Sequence, residues 1–228
     1  MIRAAVLIAV VLALAPGAGA SPPFRPATFV ARVDNPWFPL DPGTVYVYRG
    51  TDEGRAARDV VTVTHATRTI LGVRATAVRD LVYIEGRLRE RTTDWYAQDR
   101  AGNVWYMGEA TEDLDSHGRV TSREGAWRAG VAGAKPGIYM PARPAPGTSG
   151  QQEYLKGHAE DRFRVKALNA TVAVPAASSK HALLTEEWTP LEPGVLEHKL
   201  YVRGVGTVLE QTVRGGDERY ALVSVRKP

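Results

Sequence analysis

Residues 181–203 read HALLTEEWTPLEPGVLEHKLYVR, and this stretch decides the fold class. Its centre is Pro190-Leu191-Glu192-Pro193-Gly194. Proline lacks an N–H and fixes φ, and glycine tolerates positive φ, so the runs on either side stop there and form a turn. Both runs read as strands. Pairing Thr189 with Val195 sets Trp188 against Leu196, Glu186 against His198, Leu184 against Leu200 and Ala182 against Val202. Successive side chains point to opposite faces of a strand, so these even-numbered positions share one face. That face is otherwise apolar and is expected to be buried. Glu186 and His198 are its polar exceptions and become the leading functional candidates.

Working outward, nearly every segment from Gly43 onward has the same character. Val45 to Tyr48, Asp59 to His65, Gly72 to Ile84, Leu88 to Gln98 and Asn103 to Tyr106 read as strands, punctuated by Glu85-Gly86 and Asp99-Arg100-Ala101-Gly102. Beyond Ser116-His117-Gly118, Arg119 to Arg128 returns. After a Gly/Pro-rich stretch at 129–150 come Gln151 to Lys156, Glu160 to Leu168, Ala170 to Val174, the hairpin above, Gly206 to Val213 and Arg219 to Val225. No window of a dozen residues carries a period near 3.6. The expectation is an all-β protein of antiparallel meanders closing into a curved sheet, a barrel or a sandwich.

The N-terminus is organised differently. Residues 1–20 have the form of a secretion signal: Arg3, an apolar run from Ala4 to Ala15, and Ala18-Gly19-Ala20 as the cleavage site. The apolar run is shorter than the ~20 residues of a membrane-spanning helix, so the chain is expected to be periplasmic or extracellular and not an integral membrane protein. Residues 21–42 are proline-rich and read as an extended arm, in which Phe29, Trp37, Phe38 and Leu40 require burial against the body. The remainder, 43–228, is one all-β domain. There are no cysteines, so the export compartment supplies no disulfide and a packed core must provide the stability.

Within that domain the halves 43–128 and 147–226 resemble one another. Pro42-Gly43-Thr44 recurs 104 residues later as Pro146-Gly147-Thr148, and Gly102-Asn103-Val104 recurs at the same offset as Gly206-Thr207-Val208. Asp59-Val60-Val61-Thr62-Val63 is matched 102 residues on by Asp161-Arg162-Phe163-Arg164-Val165. An internal duplication is the expectation, with Asp94 the counterpart of His198.

The formal net charge is only +4, and acidic and basic residues alternate without a block of either sign. A surface of mixed charge is expected, and nucleic acid is not an expected partner. No motif for a cofactor is present, so none is expected. Nucleophilic catalysis lacks its signatures: there is no Cys and no Gly-x-Ser-x-Gly. Asp113, Asp115 and Gly118 lack the spacing of a calcium loop and read as a charged turn.

Sorting strands by face adds candidates to Glu186 and His198. Asp161 shares its face with Phe163 and Val165. Arg79 alternates with Ala77 and Leu81. If Tyr83 pairs with Leu88, Arg79 comes opposite Thr92 and diagonal to Glu90 and Asp94. Buried charge is costly unless paired, wet or bound to something. Asp161, Glu186, His198, Arg79, Asp94 and Glu90 therefore form the candidate ligand-binding set. Two carboxylates and an imidazole among them are donor types of transition-metal centres, but their spacing matches no local metal motif and leaves a metal open.

With those residues in view, the chain resembles a family of secreted bacterial proteins through VDNPWFPLDPGTVYVYRG, DWYAQDRAGNVWYMGE, GHAEDRF and WTPLEPGVLEHKLYVRGVGTVLEQ. The resemblance covers nearly all of the chain after the signal and implies export, but no activity to transfer. More distantly, the Gly-Thr opening followed by aromatic strands is similar to curved-sheet carriers of lipid or lipoprotein chains in the bacterial envelope. The functional expectation is a secreted, non-enzymatic β protein that binds a small molecule, a metal ion or an envelope component. A hydrolase or lyase using Glu186 with His198, supported by Asp161, is the alternative, and a structural envelope protein is a third.

Overall fold

The computed structural model describes residues 22–228; the secretion signal read at 1–20 lies outside them. Its only described helix is a single 3-10 turn, Pro26–Thr28. The first half of the chain supplies β1 (Phe29–Val30), β2 (Val45–Asp52), β3 (Arg55–Ile70), β4 (Val73–Ile84), β5 (Arg87–Asp99) and β6 (Val104–Leu114). Short strands follow: β7 (Val120–Ser122), β8 (Trp127–Arg128), β9 (Lys135–Met140), β10 (Ser149–Gln151) and β11 (Glu153–Tyr154). The last five are β12 (Arg162–Val174), β13 (Ala177–Trp188), β14 (Leu196–Val202), β15 (Gly206–Arg214) and β16 (Arg219–Arg226).

All sixteen belong to one antiparallel sheet, ordered β10-β12-β13-β14-β15-β16-β2-β3-β4-β5-β6-β9-β11, with β1 on β5 and β7 and β8 on β6. Each half of the chain is a meander of neighbours, and β16 joins them by pairing with β2. The sheet curls until its ends nearly meet. One continuous segment reaches both: Ser149–Gln151 pairs with β12, and Glu153–Tyr154 pairs with β9. At this seam backbones approach so closely that a Cβ on Gly137 would stand 2.2 Å from the carbonyl oxygen of Gln151. Strand β9 lies inside the Gly/Pro-rich stretch that the sequence marks only as a break. Pro136 and Gly137 disguise it, and both are tolerated because β9 is short and close to the seam.

The two Pro-Gly-Thr turns are bonded alike. Gly43 and Gly147, at φ of 95° and 90°, donate to the carbonyls of Val63 and Val165. Val63 and Val165 donate in return to Thr44 and Thr148. Positive φ at both turns is the reason for glycine there.

The arm is tied across the body. Asn35, 2% exposed, receives the support of Gln98 Oε1 on its N–H at 2.7 Å and donates through Nδ2 to Gly102 and Pro141 at 2.8 and 3.1 Å. The N–H of Gly204 donates to Pro36, so the arm runs from β5 to the β14–β15 turn. Leu40 is buried, and Phe29, Trp37 and Phe38 are half-buried against the core. The rings of Phe24 and Phe29 cover Trp105 at 5.5 and 5.8 Å. The tip of the β12–β13 hairpin bends until Ala176 donates to Leu222. Val172, Leu183, Tyr201, Val208 and Leu222 are buried beside it.

Candidate functional site

The hairpin at 181–203 forms with the register its turn dictates: Glu186 pairs with His198, and Leu184 with Leu200. Its faces are the reverse of the expectation. Leu183, Thr185, Glu187 and Tyr201, on the odd-numbered face, are buried, whereas Leu184, Glu186, His198 and Leu200 are half-buried on the other. Glu186 Oε1 lies 3.8 Å from His198 Nε2 and 3.0 Å from Lys166 Nζ, a pairing at the outer surface. The interior is itself polar, so the rule that the more apolar face turns inward fails on this hairpin.

Arg79 is corrected for a related reason. Tyr83 does pair with Leu88, but the next pair is Val82 with Glu90, so Arg89 is an extra residue in a β-bulge. That single insertion moves Arg79 opposite Thr93 and leaves it exposed. Asp80, Glu90 and Asp94 turn inward in its place.

Inside the curled sheet are two connected cavities of about 640 and about 540 Å³. Asp80, Glu90, Asp94, Tyr96, Tyr139 and Glu210 line both. The first is walled by Tyr46, Tyr48, Val61, Val78 and Val82 and roofed by Phe38 and Leu40 of the arm. Glu109, Glu153, Asp161, Glu187, Glu197 and Lys199 line the second. Of the sequence candidates, Glu90 and Asp94 thus line both spaces, and Asp161 borders the second from an exposed position. Glu186, His198 and Arg79 are absent from the lining of either space.

Aromatic rings define the middle of the site. Tyr96 and Tyr106 stack with centroids 4.9 Å apart, and Tyr139 from β9 meets Tyr96 edge-on at 5.0 Å. Phe38 closes the group at 4.6 Å from Tyr139. Tyr106 donates to Asp94 Oδ1 at 2.6 Å. Asp94 is 8% exposed. Burial drives its carboxyl up to about 7, against the lowering effect of the Tyr106 hydrogen bond. Burial, then the charges of Asp94 and Glu153, raise Glu109 to about 9; burial, then Asp161, raises Glu153 to about 8. Asp59 is also raised, first by burial and then by the neighbouring Asp80 carboxyl.

One cation stands among these acids. Lys199 Nζ lies 3.2 Å from Glu187 Oε2 and 3.1 Å from Glu210 Oε1. Burial alone would depress this amine, but Glu187 and Glu210 more than reverse it and hold it well above its ordinary value. Glu187 is fixed in turn by Thr185 and Tyr201, which donate to its Oε1 at 2.8 and 3.1 Å, and by Gln152 at 3.3 Å from Oε2. The odd-numbered face of the 181–203 hairpin carries this network. Glu187, Glu197 and Lys199 were visible in the sequence as its alternating polar residues.

Asp115 makes an ordinary turn, its Oδ1 accepting from the N–H groups of His117 and Arg119 at 2.8 and 2.9 Å. Among the described residues, no three His, Cys, Asp or Glu side chains converge as metal ligands, and no helix is long and apolar enough to cross a membrane.

No family model and no curated protein matches this sequence. Among solved structures the chain is similar to a "putative exported protein with YmcC-like fold" from Bacteroides fragilis, at 15% identity and a TM-score of 0.48, over 84% of this chain and 99% of that one. It is also similar to a "putative lipoprotein" from Parabacteroides distasonis, at 11% identity and a TM-score of 0.43, over 83% and 98% of the two chains.

Proposed function

We propose that this is an exported, non-enzymatic binding protein that holds a small molecule inside its curled sheet. The observation that carries the reading is the pair of connected cavities, about 640 and about 540 Å³, lined by tyrosines and carboxylates. A core built only for stability fills its interior to near crystal density. Spaces of this size with a few convergent polar groups are typical of ligand sites. Export rests on the signal-like sequence at 1–20. Within the candidate set, Asp94, Glu90 and Asp161 belong to this site.

Native mass spectrometry of the protein recovered from its own host tests the reading. The expected spectrum shows the folded chain carrying an extra non-covalent mass of small-molecule size, lost on denaturation. A bare chain, together with a melting temperature unchanged after denaturing extraction and refolding, would overturn it.

A further inference from the structure

We propose that the ligand of this interior is an organic cation, a protonated amine carried on an apolar body. The inference rests on the binding reading above and deepens it by assigning the chemical class.

Charge is sorted between the inside and the outside of this protein. Eight carboxylates line the first cavity and ten the second, with four shared, so fourteen face the two spaces against three cations, Arg55, Arg89 and Lys199. The whole chain has 25 Asp and Glu and a net charge of +4, so more than half of its acidic residues border these two spaces in a protein that is basic overall, Asp113, Asp161, Glu192 and Glu218 from exposed positions. The acids that stay ionised would repel an anionic ligand and attract a cation, and a cation among them would favour ionisation of the carboxyls that burial holds protonated.

Several of these acids also lack donors. Glu153 is 5% exposed, lines the second cavity, and its Oε2 has no hydrogen-bond partner. In the first cavity Asp59 Oδ1 and Asp80 Oδ1 receive no donor from another residue, and the two carboxyls lie against one another. A carboxyl oxygen without a proton only accepts, and a carboxyl that burial holds protonated can yield its proton to an incoming amine, so a ligand that satisfies these atoms brings N–H or O–H groups. Leaving such atoms buried and unpaired is expensive, which marks them as the contacts a ligand would repair.

The protein also contains its own example of the contact. The Lys199 ammonium, on a four-carbon stem, sits between Glu187 and Glu210 at 3.2 and 3.1 Å. A second amine entering beside Asp94 and Glu90 would find the same acceptor chemistry next to the rings of Tyr96 and Tyr139. Aromatic faces attract ammonium groups, and Phe38, Leu40 and Val78 provide the apolar wall for the body of the molecule. The acids extend along both cavities without converging as metal ligands, a distribution that suits an elongated organic cation over a point charge.

The test uses three probes of one length: octylamine, octanol and octanoate, titrated calorimetrically below their aggregation limits into the full chain stripped of ligand. The expected result is that octylamine binds at least tenfold more tightly than octanol or octanoate. Asp94→Asn and Glu153→Gln should each weaken it severalfold, whereas Glu112→Gln, on the outer surface with Arg91 and Arg123, should leave it unchanged. Octanol or octanoate binding as tightly as the amine would overturn the cation proposal and leave the binding reading standing. Silence from all three would overturn both, as would amine binding indifferent to the interior substitutions. The comparison of probes on the unaltered protein decides the charge preference even if a variant fails to fold.

Discussion

Asp94→Asn should stabilise this protein, by an amount that grows from about pH 4 and is complete above about pH 7. Asp94 is 8% exposed, and its carboxyl is raised from 3.8 to about 7 in the folded chain. A group whose folded pKa exceeds its unfolded value contributes stability that is complete below the unfolded pKa. That contribution is lost as pH rises through the folded pKa. Here the window runs from about pH 4 to about pH 7. A gap of roughly three units at 1.36 kcal/mol each gives an upper bound of ~4 kcal/mol, and relaxation of the surrounding acids should leave about 2 kcal/mol. Asparagine cannot ionise, and its Oδ1 can still accept from Tyr106, so the variant escapes the loss. In urea denaturation of ligand-free protein at several pH values between 4 and 8.5, the two curves should coincide near pH 4, diverge steadily from there and run parallel above about pH 7. The gap corresponds to roughly 4–8 °C in melting temperature for a chain of this size. Parallel curves across the whole range would refute the reasoning, because they would mean that Asp94 ionises in the fold as readily as in water.

Three further outcomes follow from the same geometry. Gly137→Ala should cost about 2–3 kcal/mol, measured by chemical denaturation, because the new Cβ would meet the Gln151 carbonyl at 2.2 Å and force the seam apart. Lys199→Met should cost about 3 kcal/mol at neutral pH, since it leaves Glu187, 5% exposed, and Glu210 without their shared cation; an unchanged urea midpoint would show that the triad contributes little. Glu186→Gln should change stability by less than about 1 kcal/mol, because its partner Lys166 is 41% exposed and the pair sits at the surface; a larger loss in thermal unfolding would return the Glu186–His198 pair to consideration as a structural centre.

Local chemistry made the strands and turns of this protein legible in its sequence. Pro190 to Gly194 stopped two runs and thereby set Glu186 opposite His198, and the Tyr83–Leu88 pairing followed from Glu85-Gly86 in the same way. These are contacts between residues close in the chain, and turn geometry suffices to specify them. The sequence also separated the two faces of each strand. Which face turned inward was decided by tertiary structure, because alternation carries no sign of its own when the interior holds acids and tyrosines. A bulge at Arg89 reversed the expectation for Arg79. The seam was equally hidden, since Ser149–Tyr154 meets β9 and β12 only after the whole sheet has curled. The cavity depends on that closure. Carboxylates as distant in sequence as Asp59 and Glu210 acquire a common environment when the curled sheet excludes water from around them and brings their charges within range of one another.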